Sequence, residues 1–509
     1  MRLLFHLRAV TLAFMQVRAF PGGLKLPSHR QESLAGGLRH VRSPERLRVA
    51  LAQSSQTAAQ AVVAVGERVR TGQLIGAAVN AVAVHAPGSG VISAIGAYPV
   101  IHPSGLPGAC IEIALDGLDE WVALDPDPDW RSRTPAELLE KIIAAGIVGL
   151  GGAAFPTALK VGASRPISHL LINGAECEPY IACDNALMIN FPAQVLEGVE
   201  ILRALLQPER VILALEDSHS EAMNALKSCA PECELVAVPT RYPEGGERQL
   251  IYALTGLEVP ATSVPLALGI LSINVATARA VYRAVRLGEP LISRIVTVTG
   301  AGALAPCNVE VRLGTLIGDL LEGLGGYGEN AERLVIGGPL MGLALPHDQH
   351  PISKASNCIL LLGADEVRAR GAPMPCIRCG ECARVCPVRL APQLMHLTAQ
   401  AGDLEAAFAL NTLACIECGL CSFVCPSHIP LAQEFRVAKF EIRLAADKRV
   451  QAQAAKERFE ARQQRLDRIN AERAARRAQA GTATNPADAL ARAKARKAKI
   501  AAAGTAEKP

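Results

Sequence analysis

Between Val62 and Ile95 apolar and polar positions alternate in short segments split by turns, the pattern of small strands paired in hairpins. From Thr134 the period lengthens. Pro135 to Ala145 sets apolar residues at helical spacing behind a proline start, and Ile167 to Ile172, Arg210 to Leu215 and Glu234 to Pro239 are short apolar runs with helical stretches between them. That alternation predicts an α/β domain around a mainly parallel sheet. Arg294 to Leu324 returns to short strands, Val296–Gly300 and Asn308–Val311, followed by a helix opening near Gly314. From about Phe440, Gly and Pro nearly vanish until Gly481 while Ala, Arg, Lys, Glu and Gln dominate, which predicts a long solvated helix and then an Ala/Lys-rich tail.

The apolar content does not change this picture to a membrane-spanning one. Half of the 509 residues are hydrophobic and mean hydropathy is +0.22, yet no uninterrupted apolar run reaches the roughly eighteen residues a span needs. Pro265 to Val281 comes nearest, and Gly269, Ser272, Asn274 and Thr277 mark it as buried α/β core. The first twenty residues carry Arg2, Arg8 and Arg18 through their hydrophobic stretch with no cleavage site after it, so a signal peptide is not expected. A formal charge of +4 is too slight to argue for nucleic acid.

Cysteine spacing changes the picture most. Cys376-x2-Cys379-x2-Cys382-x3-Cys386-Pro387 and Cys415-x2-Cys418-x2-Cys421-x3-Cys425-Pro426 are two complete copies of the run that binds paired [4Fe-4S] clusters in bacterial ferredoxins, in which the fourth Cys of each run serves the other cluster. The ligand sets are therefore expected to cross: Cys376, Cys379, Cys382 and Cys425 for one cluster, Cys386, Cys415, Cys418 and Cys421 for the other. Zinc gains nothing from this spacing, and disulfides do not suit pairs so close in a long chain without an export signal. Gly380 and Gly419 would let the backbone pass near each cluster.

Two loops of the α/β region carry further chemistry. Gly149-Leu150-Gly151-Gly152-Ala153-Ala154-Phe155-Pro156 opens onto a helix that holds Lys160, an arrangement of exposed amides, helix terminus and mobile cation suited to a phosphate. It is neither a Walker A loop nor a dinucleotide fingerprint. Asn173-Gly174-Ala175-Glu176-Cys177-Glu178-Pro179-Tyr180 follows a strand, where open α/β sheets bind ligands. Earlier, Val65–Ile75 and Ala86–Ile92 look like the halves of a biotinyl or lipoyl carrier module. The intervening tip, Val79-Asn80-Ala81-Val82-Ala83, has no lysine to modify, which leaves an assembly role.

Together the two loops resemble those of the FMN- and NADH-binding flavoprotein subunit of respiratory complex I. Their wording, and the order of parts, is closer to the C-subunit family of the Rnf ion-translocating oxidoreductase complexes, over roughly residues 20 to 439. The resemblance implies a multidomain α/β and α+β fold: an N-terminal extension (1–20), a barrel-sandwich hybrid (21–125), a flavoprotein-like α/β domain (134–290), a β-grasp domain (291–345), a helical two-cluster ferredoxin domain (366–435) and a charged helix and tail (440–509). It places FMN against Gly149, Gly151, Gly152 and Lys160, with Asn173 and Glu176 in the same pocket and Gly246, Glu247 and Asn274 on its remaining loops. Phe155 would stack on nicotinamide and Glu178 would stand on the NADH side. Three departures are Leu150, Ala175 and Ala154, whose added methyl is expected to narrow the flavin approach.

The function implied is a peripheral subunit at the cytoplasmic face of the bacterial inner membrane. NADH would deliver two electrons to FMN, and two [4Fe-4S] clusters would relay them singly. Ion translocation would fall to membrane-embedded partner subunits, with a ferredoxin-like subunit and ferredoxin at the other redox end. The rivals are a soluble flavin-dependent corrinoid reductase, the A subunit of the sodium-pumping NADH:quinone oxidoreductase, which the eight cluster cysteines disfavour, and a docking and relay subunit that binds no nucleotide.

Overall fold

A computed structural model of the chain describes residues 17–503 apart from 55–56, 163–164, 262, 368–370 and 483–484. The chain forms two compact units, residues 1–436 and 437–509. Most of the N-terminal extension lies outside the described residues, but its end is firmly held. Arg18 N donates to Ala253 O and Phe20 is buried.

The barrel-sandwich pairs Arg46–Ala50, Gly108–Leu115, Gly90–Tyr98 and Arg68–Val69 in one sheet and Gln60–Ala61, Leu74–Ala77 and Val84–His85 in another. Val49, Val69, Ile75, Ile92, Ile111 and Ile113 fill the space between them. The tip without a lysine has a different use: Val82 packs on the core of the α/β domain, and Lys354, arriving from another part of the chain, donates to Ala83 O and Gly146 O. Where a carrier module presents a lysine, this one receives one.

The α/β domain has four parallel strands, ordered Glu234–Val238, Arg210–Glu216, His169–Gly174, Ile270–Asn274. The helix expected after Thr134 spans Pro135–Ala144, and Thr134 and Glu137 close a reciprocal capping box that fixes where it starts. Packing of Leu170, Ile172, Leu213, Leu215 and Ile273 against Val195, Val199, Val281 and Val285 of the covering helices makes the main core. The segment read as buried α/β core is a 3-10 turn, a strand and the helix Val275–Arg286.

The β-grasp strands Ser293–Thr299 and Cys307–Arg312 form as expected, but their sheet takes strands from beyond 291–345. Leu38–His40 adds parallel to Cys307–Arg312 at one edge, and Cys358–Gly363 sits in the middle, parallel to Ser293–Thr299. Sequence patterning cannot reveal such an arrangement, because a three-residue strand has no period of its own and its pairing is set by the distant partner. In the second unit the solvated helix is Leu431–Thr482, which begins in the first unit, and the stretch read as a low-complexity tail contains a further helix, Pro486–Ala503. No helix among the described residues is long and apolar enough to cross a membrane.

Candidate flavin pocket and paired cluster cavities

The pocket forms at the carboxyl edge of the parallel sheet. Asn173 and Asn274 are register partners on adjacent strands, so both side chains emerge at one level. Asn173 Nδ2 donates to Gly245 O (2.9 Å) and its Oδ1 accepts from Ala175 N. Asn274 Oδ1 accepts from Ala276 N, capping the helix Val275–Arg286, and its Nδ2 donates to Asp184 Oδ2 (2.5 Å). Leu150 N donates to Thr277 Oγ1 on the same helix, which fixes the glycine loop over the sheet edge.

Within that loop Gly149 N donates to Phe155 O, and a Cβ at Gly151 would lie 3.5 Å from the Asn274 side chain. Gly152 has φ +110° with nothing within 4 Å of where a Cβ would stand, so the loop presents bare backbone to open space. Phe155 is half-buried. Lys160 Nζ donates to Glu247 Oε1 (2.7 Å) and to Ser272 O, bringing the two flanking loops together; Gly246 precedes Glu247 at the start of its helix. An open glycine cradle bordered by a part-exposed ammonium group fits a phosphorylated cofactor.

Ala154 departs from expectation. It takes φ +46° and is 8% exposed within the main core, so its methyl points inward and does not narrow the approach. The cost of the extra carbon is backbone strain in the left-handed region, of order 1 kcal/mol.

The two glutamates are both buried. Glu176 is buried under the pocket. Its oxygens accept from Asp184 N, Asn185 N and Cys183 Sγ, so it caps the helix Cys183–Asn190. Burial, and the neighbouring Asp184 carboxylate, push its pKa up; Asp184 is raised by burial in the same way. Arg294, also buried, donates to Leu150 O and Lys354 O beside this pair. Glu178, expected on the nucleotide side, accepts at Oε1 from Leu340 N and Met341 N, bracing the turn after Gly337–Gly338. Asp184 and Arg294 were not singled out from sequence, because each acquires its place only when helix and loop pack.

The cysteine runs build two cavities. One is lined by Cys376, Cys379, Cys382 and Cys425, the other by Cys386, Cys415, Cys418 and Cys421. Each therefore gathers three thiols from one run and the fourth from the other. The halves repeat at an offset of 39 residues in backbone as well as sequence. Arg378 and Glu417 (both φ +58°), Gly380 and Gly419 (φ +80° and +78°) and Arg389 and His428 (φ +52° and +53°) are matched left-handed turns, and Glu381–Arg384 matches Leu420–Phe423. Leu390 N points at Cys386 Sγ (3.3 Å) and Glu417 N at Cys415 Sγ (3.4 Å), the amide-to-sulfur contacts that offset thiolate charge. Four sulfurs around an apolar hollow with amides directed at them suit a cubane cluster.

The surroundings of the two cavities differ. Cys418 is buried in a cluster with Tyr242, Val385 and Leu420, against which Cys177 and Leu340 pack, and Tyr242 Oη donates to Cys418 O (2.7 Å). Gly23 N donates to Val385 O, and Leu24 pairs with Tyr242 through both backbone groups. Gly23 and Leu24, just after the extension, thus run between the α/β domain and the second cavity. In the other set Cys379 is exposed.

The whole chain can be set beside known proteins. Family models match in the order of the domains just described: an RnfC barrel-sandwich hybrid domain at 18–117, a Nuo51 FMN-binding domain at 142–283, an SLBB domain at 295–344 and a 4Fe-4S dicluster domain at 375–429. The C subunit of the ion-translocating oxidoreductase complex of Haemophilus influenzae is 41% identical over 455 residues, covering 88% of this chain and 68% of that one. The chain belongs to that C-subunit family. The Pseudomonas aeruginosa member is 49% identical over 468 residues, 91% of this chain and 60% of its own length. An Edwardsiella ictaluri member is 44% identical over 92% of this chain and 59% of its own. The chain thus spans about three-fifths of the length of these curated relatives. An NAD+-reducing [NiFe]-hydrogenase in the H2-reduced state aligns over 64% of this chain and 69% of its own, with a TM-score of 0.45 and 19% identity. In this member of the C-subunit family the glycine loop and Lys160 lie inside the FMN-binding span and all eight motif cysteines inside the dicluster span. FMN and iron–sulfur clusters are the cofactors of this architecture.

Proposed function

We propose that the chain is a peripheral subunit that takes electrons from NADH at an FMN and delivers them one at a time through two [4Fe-4S] clusters, within a complex that couples this transfer to ion movement. The observation that carries the reading is the seating of one four-thiol cavity directly on the flavin-type domain, through Tyr242 and Cys418. FMN supplies the change from two-electron to one-electron chemistry. Gly149, Gly151 and Gly152 give it a backbone cradle, Lys160 a cation that exchanges Glu247 for phosphate, and Asn173, Gly246, Glu247 and Asn274 the polar rim. Phe155, half-buried at the end of the loop, is the surface for nicotinamide. Glu176 acts from below by fixing the helix that carries Asp184, and Glu178 acts by holding the 340 turn.

Cys386, Cys415, Cys418 and Cys421 hold the cluster nearer the flavin, and Cys376, Cys379, Cys382 and Cys425 the one nearer the surface. Exposed Cys379 makes the set nearer the surface the exit toward a one-electron partner. The partners are the membrane-embedded subunits, which move the ion, and a ferredoxin-like subunit, with ferredoxin as the far redox end, all at the cytoplasmic face of the inner membrane. Iron, sulfide and flavin analysis of the purified chain, followed by NADH titration with EPR detection, tests the reading. The expected result is about eight irons, bound FMN and two interacting cluster signals on NADH addition. Clusters without flavin and without NADH reduction would instead mean a passive relay.

A further inference from the structure

The second unit is strongly basic while the rest of the chain is acidic. Of 52 Lys and Arg, 18 fall in residues 437–509, against only 8 of the 48 Asp and Glu, so this stretch carries a net +10 and the remainder a net −6. The helix that runs through it also exposes large apolar side chains: Val437, Phe440, Leu444, Phe459 and Leu466 are all between 40% and 67% accessible. At about 100° per residue, these five and Ile469 fall within one sector of roughly 100°. Lys448, Arg458, Arg462, Arg473, Arg476 and Arg477 fall in the same sector. Of the acids between 437 and 477, only Glu441 reaches it, at one edge; Asp447, Glu457, Glu460, Asp467 and Glu472 lie outside.

One face of the helix, about 60 Å long at 1.5 Å per residue, thus combines aromatic and aliphatic anchors with interleaved cations and almost no carboxylates. A second copy of the chain does not fit against it, since the cations would face their own equivalents in the seam. An anionic bilayer surface does fit: the guanidinium and ammonium groups sit at the level of lipid phosphates while Phe and Leu enter the headgroup boundary. We infer that the Val437–Arg477 face lies on the surface of a membrane rich in anionic lipid and anchors the chain there. The inference extends the membrane-peripheral reading above, and it concerns contact with lipid itself, with no partner subunit needed.

The test is co-sedimentation of the full chain with phosphatidylcholine vesicles, with and without added phosphatidylglycerol, across a salt series. Binding should require phosphatidylglycerol and fall steeply with salt. It should drop at least about tenfold in a K448E/R458E/R462E variant and by a smaller factor in an F440S/F459S variant. Far-UV circular dichroism and cluster absorbance, unchanged in both, would show that helix and cluster domain persist. Equal binding to both vesicle types, no binding, or variants that bind like the parent would overturn the inference, as would a face occupied by an acidic protein with no affinity for vesicles. NADH reduction of the clusters, measured separately, is independent of every arm, so failure here is distinguishable from failure of the electron-transfer reading.

Discussion

The two four-thiol cavities are near copies in sequence and backbone, yet they have different neighbours. The 376/379/382/425 set opens to the surface, with Cys379, Met374 and Ile377 exposed. The 386/415/418/421 set is clasped by the α/β domain and by the N-terminal segment, so that Cys418 and Leu420 share a core with Tyr242. A repeated motif thus supplies two similar holders, and tertiary packing alone makes one an inner and the other an outer site. Burial and hydrogen bonding tune cluster potentials, so the packing difference is also a difference in redox character.

The most severe way to break the pair is to remove a crossing ligand. Cys386→Ser should abolish the inner cluster, whose other ligands lie some thirty residues downstream, and leave the outer one. Cys425→Ser should do the reverse. Iron content near half of the parent's and loss of one EPR signal in each variant are expected. If Cys386→Ser instead damaged the cluster of its own run, crossing would be wrong.

A second test touches only the inner side. Gly22 has φ +63° and a Cβ there would stand 2.5 Å from Cys386 O, so alanine must displace backbone at the inner holder. Gly22→Ala should cost about 2–4 kcal/mol and loosen the inner cluster first, read as faster loss of its EPR signal on warming while the outer signal persists.

How much of this was legible differs between the same two regions. The cluster runs announce themselves because their ligands are local: spacing alone encodes how a chain wraps a cubane, and the left-handed turns at Gly380 and Gly419 follow from it. The flavin pocket was legible only where it is a loop. Gly149 to Pro156 and Asn173 to Pro179 could be read, whereas Asp184 and Arg294 are ordinary helix and strand residues until folding brings them beneath that loop. Ala154 illustrates the limit: residue identity gives the added methyl, but only backbone conformation tells whether it faces cofactor or core. Leu38–His40 could not be assigned to the β-grasp sheet because its partner lies some 270 residues away.

The inner side also buries a titratable carboxyl. Glu244, two residues after Tyr242, is 2% exposed, and burial pushes its carboxyl up to about 8 from an ordinary 4.5. Between those two pH values the folded chain holds a proton that the unfolded chain releases, so this group lowers stability as pH rises. Glu244→Gln should remove that slope. Relative to the variant, the parent is expected to lose on the order of 1–3 kcal/mol between pH 5 and pH 8, measured by denaturant unfolding with the buried Trp130 as fluorescence probe. Equal slopes would mean that the carboxyl is ionised in the fold.

The gentlest test separates the sites without disturbing either holder. Tyr242→Phe keeps the ring packed against Cys418 and Leu420 and deletes only the hydroxyl that donates to Cys418 O. Loss of one buried hydrogen bond should cost about 1 kcal/mol, too little to release a cluster. A backbone carbonyl no longer polarised by that donor leaves more negative charge near the inner cluster, which should move its potential downward. The outer cluster, which makes no contact with this tyrosine among the described residues, should keep its value. A redox titration that found both potentials shifted equally, or neither, would show that the packing of Cys418 on the flavin-type domain does not set the inner site apart.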